Sequence, residues 1–102
     1  MEKFEQINVV KSIATEYVLE NINSISGNIS QDEITHVIDI GTSILCTKWN
    51  VGYEGGGFVQ SVVANNLSKA IGSADGTNIK ALKLYCQMLY NIPFPTRLEQ
   101  YV

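Results

Sequence analysis

Apolar residues return every three or four positions through most of this chain, and that period constrains its fold more than any other feature. It first runs through Phe4, Ile7, Val10, Ala14, Tyr17, Val18, Ile22 and Ile25, which predicts a helix over residues 3–25. Val9, Ile13 and Leu19 widen the stripe beyond one narrow face. A wide stripe implies contact on two sides, one of them with a second copy of the chain. Gly27 and Asn28 follow, and both tolerate the left-handed backbone that closes a helix.

Ser30-Gln31-Asp32-Glu33 spells a capping box, in which side chain and backbone amide are satisfied reciprocally. Ile34, Val37, Ile38, Gly41, Ile44 and Leu45 continue the helical period, so a second helix is predicted over residues 31–47. The Val, Ile and Thr content of residues 36–47 leaves a strand open there. The capping box and the acidic first turn favour the helix. Residues 48–56 read as a loop. A third helix is predicted over residues 57–71, with Phe58, Val59, Val62, Val63, Leu67, Ala70 and Ile71 on its apolar side and Gly72 at its end. Asp75-Gly76-Thr77 turns the chain, with Thr77 as the expected cap of a fourth helix over residues 78–91. Ile79, Leu82, Tyr85, Cys86, Leu89 and Tyr90 form its apolar positions, and Pro93 and Pro95 prevent its continuation. No repeat or linker interrupts the pattern. The expected fold is all-α: one compact four-helix domain spanning residues 1–102, assembling into a helical homo-oligomer.

Composition narrows the partners. Charged residues make up only 17% of the chain, which fits a surface partly hidden in an oligomer. The formal net charge of −3 argues against duplex nucleic acid, whose binding needs a basic surface. Cys46 and Cys86 belong to no CxxC and His36 is the sole histidine, so no metal or other cofactor is expected. The opening MEKFEQ has no basic region ahead of an apolar run, and no stretch approaches a membrane span. A cytoplasmic protein without membrane contact is expected.

The run NVGYEGGGFVQS holds the candidate chemistry. A helix N-terminus presents unpaired amides, and Gly55, Gly56 and Gly57 would let a ligand phosphate approach them. Lys48, Trp49 and Tyr53 lie just upstream and offer a charge and two stacking rings. The run is neither a Walker A loop nor a GxGxxG, and a tight packing corner is the competing explanation. Asn65 and Lys69 are four apart and share a helix face. Two adjacent asparagines, Asn65 and Asn66, are unexpected inside a helix and imply a hydrogen-bonding task. Asp32 and His36 have helical i, i+4 spacing, which reads as an exposed ion pair. No nucleophile stands beside a recognisable base, so an enzyme is not expected.

Gly56, Gly57, Phe58, Asn65, Asn66, Leu67, Ala74, Asp75, Asn78, Tyr90 and Asn91 together form a pattern. It resembles a family of small bacteriophage-encoded proteins of unassigned function, over residues 56–93. Asn66 stands where that family usually has an acid, so no role needing the carboxylate carries over. The resemblance implies phage origin and an anti-defence role in the host cytoplasm. The expected function is sequestration of a small anionic host signal, a cyclic nucleotide or ADP-ribose-type molecule. Its pocket would lie near Gly55–Phe58 and be completed by a second subunit. Inhibition of a host defence enzyme and a structural assembly role are the alternatives. Under the pocket reading, Lys48→Ala and Trp49→Ala weaken binding and leave the fold intact, while Phe58 enters the core.

Overall fold

The computed structural model describes residues 2–101. Its organising element is α2, Gln31–Trp49, which begins where the capping box places it. The Ser30 hydroxyl accepts from the Glu33 amide at 3.1 Å, and the Glu33 carboxylate accepts from the Ser30 amide at 3.2 Å. No strand occurs among the described residues, so local capping outweighs β-branched content over residues 36–47. The helix closes at Asn50, whose left-handed backbone (φ 55°) lets its amide reach the Cys46 and Thr47 carbonyls.

Among the described residues five α-helices form rather than four. The first, α1, spans Lys3–Glu20 and stops short of the predicted residue 25. Asn21 ends it: its backbone amide and its side-chain amide both donate to the Tyr17 carbonyl. A 3₁₀ turn, Ile22–Ser24, carries the chain onward, and the Ser26 amide donates to the Lys80 carbonyl at 2.9 Å.

The predicted third helix is two, α3 (Gly57–Val63) and α4 (Leu67–Ser73). The adjacent asparagines make the break. Asn65 turns the backbone left-handed (φ 61°), and the Asn66 side chain caps α4 by accepting from the Lys69 amide at 3.1 Å. Gly72 lies inside α4 and does not close it. The last helix, α5, spans Gly76–Asn91. Asp75, not Thr77, caps it, accepting from the Asn78 amide at 2.7 Å. Thr77 instead donates to Glu33 of α2 at 2.9 Å.

α2 packs against α1 on one side and against α3 and α5 on the others. Val10, Ala14 and Val18 of α1 meet Val37, Ile44 and Leu45 of α2 in one apolar core, completed by Leu84, Tyr85 and Met88 of α5 and by Leu98. Phe58 packs half-buried against this core, its ring edge-on to Tyr85 at 6.0 Å. The Tyr85 hydroxyl, itself fully buried, donates to Asn78 Oδ1 at 2.8 Å. Burial and the nearby Asp75 charge push that phenol upward. Among the described residues no helix is long and apolar enough to cross a membrane.

Candidate functional site

The glycine run makes a corner. The Gly55 amide donates to Thr47 Oγ1 at 2.8 Å, and its carbonyl accepts from Gln60 Nε2 at 2.8 Å. A Cβ at Gly55 would stand 2.6 Å from both Ser43 Oγ and Val59 Cβ, so only glycine lets the loop close this tightly on α2 and α3. Gly56 and Gly57 are different: each is exposed and a Cβ at either meets nothing within 4 Å. Gly56 caps α3 with backbone alone.

The aromatic and basic neighbours do not gather around that corner. Trp49 is the last residue of α2 rather than part of a loop, and it is buried with its ring edge-on to Phe94 at 5.8 Å. Tyr53 turns the opposite way, to a hollow between α1 and α2, where the Lys3 ammonium sits 5.0 Å from its ring. Lys48 reaches across to α5 and donates to the Leu89 carbonyl. That bond satisfies an end carbonyl of α5, as a cation near a helix C-terminus does.

Lys48 and Asn65 do meet, together with Tyr90 and Leu89, around a hollow of about 220 Å³ between α3 and α5. A neighbouring depression shares Asn65, Val62 and Cys86 with it and extends to Leu67, Ala70 and Leu82. A third shares Ser61 and Asn66 with the second and reaches Lys69. The first two join into one groove, with α3 and the start of α4 as one wall and α5 as the other; the third lies on the α3–α4 side and touches no residue of α5. Ile71 follows Leu67 by one helical turn and Ile79 precedes Leu82 by three residues, which extends the apolar strip. Leu67, Ile71, Ile79 and Tyr90 are exposed, while Leu82, Cys86 and Leu89 are half-buried.

These groove residues were placed in the core by their spacing. The signal that separates them is the surplus on α5. One helix face already buries Ala81, Leu84, Tyr85 and Met88, and Ile79, Leu82, Cys86 and Tyr90 occupy another. A lone helix cannot bury both stripes in a domain of this size.

Neither cysteine is poised as a nucleophile. Burial pushes the Cys86 thiol upward, and that of the deeply buried Cys46 to about 11, so neither supplies a thiolate near neutral pH. His36 pairs with Asp75 at 3.1 Å across the α2–α5 junction, not with Asp32 as its helical spacing implied. Among family models, curated proteins and solved structures, none matches this chain.

Proposed function

We propose that this chain is a non-catalytic accessory protein that grips another macromolecule through the groove between α3–α4 and α5. One observation carries the reading: Leu67, Ile79 and Tyr90 stand 62%, 45% and 87% exposed beside the half-buried Leu82, Cys86 and Leu89. Single exposed apolar side chains are ordinary, but a contiguous set on two walls of one groove marks an interaction surface. Covering it returns roughly 25 cal/mol for each Å² of apolar surface removed from water. The bacteriophage resemblance supplies a setting, inhibition of a host defence protein in the cytoplasm. A homo-oligomer would use the same surface or the exposed Phe4 and Leu19 of α1.

The test is site-specific photo-crosslinking in host lysate from positions 67 and 90, with position 16 on α1 as the control. Groove positions should yield one product that position 16 does not, and Tyr90→Asp should abolish it without lowering Tm. Equal labelling from all three positions would remove the groove from consideration.

A second reading rests on a separate observation, that Lys48 and Asn65 converge on one hollow. They offer an ammonium and an amide to a small anion, with Tyr90 as a stacking ring. The hollow, about 220 Å³, is smaller than the roughly 300–1,000 Å³ usual for small-molecule sites, so a nucleotide needs a second subunit to enclose it. A thermal-shift panel of cyclic nucleotides and cyclic ADP-ribose isomers tests this directly, because a ligand of the native state raises Tm with its concentration.

A further inference from the structure

The groove has a charge as well as a shape. The chain as a whole is acidic, with a formal charge of −3. Among the described residues no carboxylate lines any of the three hollows. From Gly57 to Asn91 the sequence holds Lys69, Lys80 and Lys83 against Asp75 alone. Asp75 is spent locally, one oxygen capping α5 and the other meeting His36. Lys80 is engaged too, by Glu33 and the Asn28 carbonyl. Lys69 and Lys83, both exposed, have no carboxylate partner among the described residues, and neither does Lys48, whose ammonium donates one of its three hydrogens to the Leu89 carbonyl.

Lys48 and Lys83 border the apolar strip, and Lys69 stands beyond it. Lys48 lines the hollow at the Tyr90 end. Lys69 lines the separate hollow beyond Asn66, which no α5 residue reaches. Lys83 follows Ile79 by four residues and precedes Cys86 by three, which sets it on the outer edge of the α5 wall. From Leu82 to Tyr90 that wall runs about 12 Å at the helical rise, the span of two turns of a docked helix.

Resting on the groove reading, we propose that the occupant is an acidic amphipathic helix of another protein. Its apolar stripe seats on Leu67, Leu82, Cys86 and Tyr90, and its carboxylates meet Lys48 and Lys83. The physics is that of helix-in-groove recognition: apolar anchors at i, i+4 and i+7 give affinity, and the lysine border sets orientation and rejects basic competitors.

Panning the intact protein against a display library of helix-forming peptides tests this, with Cys86 as the position marker. Cys46 is buried, so alkylation of the native protein at alkaline pH, where the half-buried Cys86 thiol begins to ionise, reports Cys86. Selected peptides should carry net negative charge and apolar residues one and two turns apart. A selected peptide at ten times its Kd should slow Cys86 alkylation by about tenfold. Lys83→Glu, and separately Lys48→Glu, should raise its Kd by about fivefold at low salt and by less at high salt. Neutral or basic winners that still protect Cys86 would overturn the acidic helix and leave the groove reading standing. Winners that leave Cys86 unprotected, or no enrichment at all, would overturn both. Protection of Cys86 by raising the concentration of the protein alone would make a second copy the occupant and overturn the proposal.

Discussion

Glu33 of α2 and Lys80 of α5 meet at 3.1 Å, and the pair is the hub of a polar clasp that holds the two helices together at one end. The same carboxylate accepts from the Ser30 amide and from the Thr77 hydroxyl, and Lys80 also reaches the Asn28 carbonyl. One side chain thus ends the loop before α2, starts α2 and fastens it to α5. The capping box was legible in sequence; the long-range half of the clasp was not.

The clasp gives stability a pH dependence. The Ser30 amide, then the hydrogen bonds from Lys80 and Thr77, hold the Glu33 carboxyl down from 4.5 to about 2. A carboxyl depressed in the folded chain stabilises it fully above the unfolded value and loses that contribution as pH falls. The loss should therefore develop between about pH 4.5 and 2. Glu33→Gln should melt lower at neutral pH and show a flatter Tm profile across that window. Parallel profiles for the two proteins would mean that the clasp adds nothing to stability.

Asn65 and Asn66 punctuate α3 and α4 by different means, and substitutions separate them. Asn65→Ala keeps the β-carbon in a left-handed conformation but loses the short polar side chain that makes it tolerable, at a cost of about 1 kcal/mol, whereas Asn65→Gly removes the β-carbon and relieves the strain. Asn66→Ala removes the α4 cap, at a cost of about 1 kcal/mol. Urea unfolding should place Asn65→Gly at or above the parent and both alanine variants below it. An Asn65→Ala protein as stable as the parent would contradict the left-handed turn.

Helix existence was readable because period, caps and prolines agreed along the chain, as they do at Ser30–Glu33 and Pro93. Helix ends were less readable where a polar side chain chose between neighbours. Asn21 closes α1 through the Tyr17 carbonyl, and Asp75 caps α5 in place of Thr77, which a partner 44 residues away engages. The candidate site was hardest to read. Lys48 and Asn65 were singled out and do share a hollow, yet the apolar groove around them looks like core in sequence. Periodicity identifies a helix face; whether another element covers it depends on packing that one-dimensional spacing does not contain.

Tyr85 and Asn78 form a buried polar pair within α5 that substitution can test. Tyr85→Phe keeps the ring against Phe58 but strips Asn78 Oδ1 of its donor, which should cost about 1–3 kcal/mol. Asn78→Leu combined with Tyr85→Phe removes both polar atoms and should recover part of the loss. Denaturant midpoints for the single and double variants decide it. An additive double variant would show that the two groups are not coupled.

The glycines divide by position. Gly55→Ala forces a methyl group against Ser43 and Val59 and should cost about 1–3 kcal/mol. Gly57→Ala, with open space at the first turn of α3, should be neutral or stabilise by up to about 1 kcal/mol. Reversal of that order in thermal melts would place the tight approach at the wrong glycine.

Trp49 provides the sharpest break from the sequence reading, in which its removal spares the fold. The ring is buried at the end of α2 against Phe94 and is the chain's single tryptophan. Trp49→Ala should therefore lower stability by about 3–5 kcal/mol, the cost of truncating a buried large aromatic. Phe94→Ala, which keeps the indole, should cost less and shift tryptophan emission to the red as water reaches the ring edge. Lys48→Ala, one residue away but exposed, should leave the melting temperature nearly unchanged. A single experiment, far-ultraviolet melts of the three variants beside the parent, ranks them. If Trp49→Ala melts with Lys48→Ala and the parent, the indole is not a core residue, and its proper role is again that of a surface ring available to a ligand.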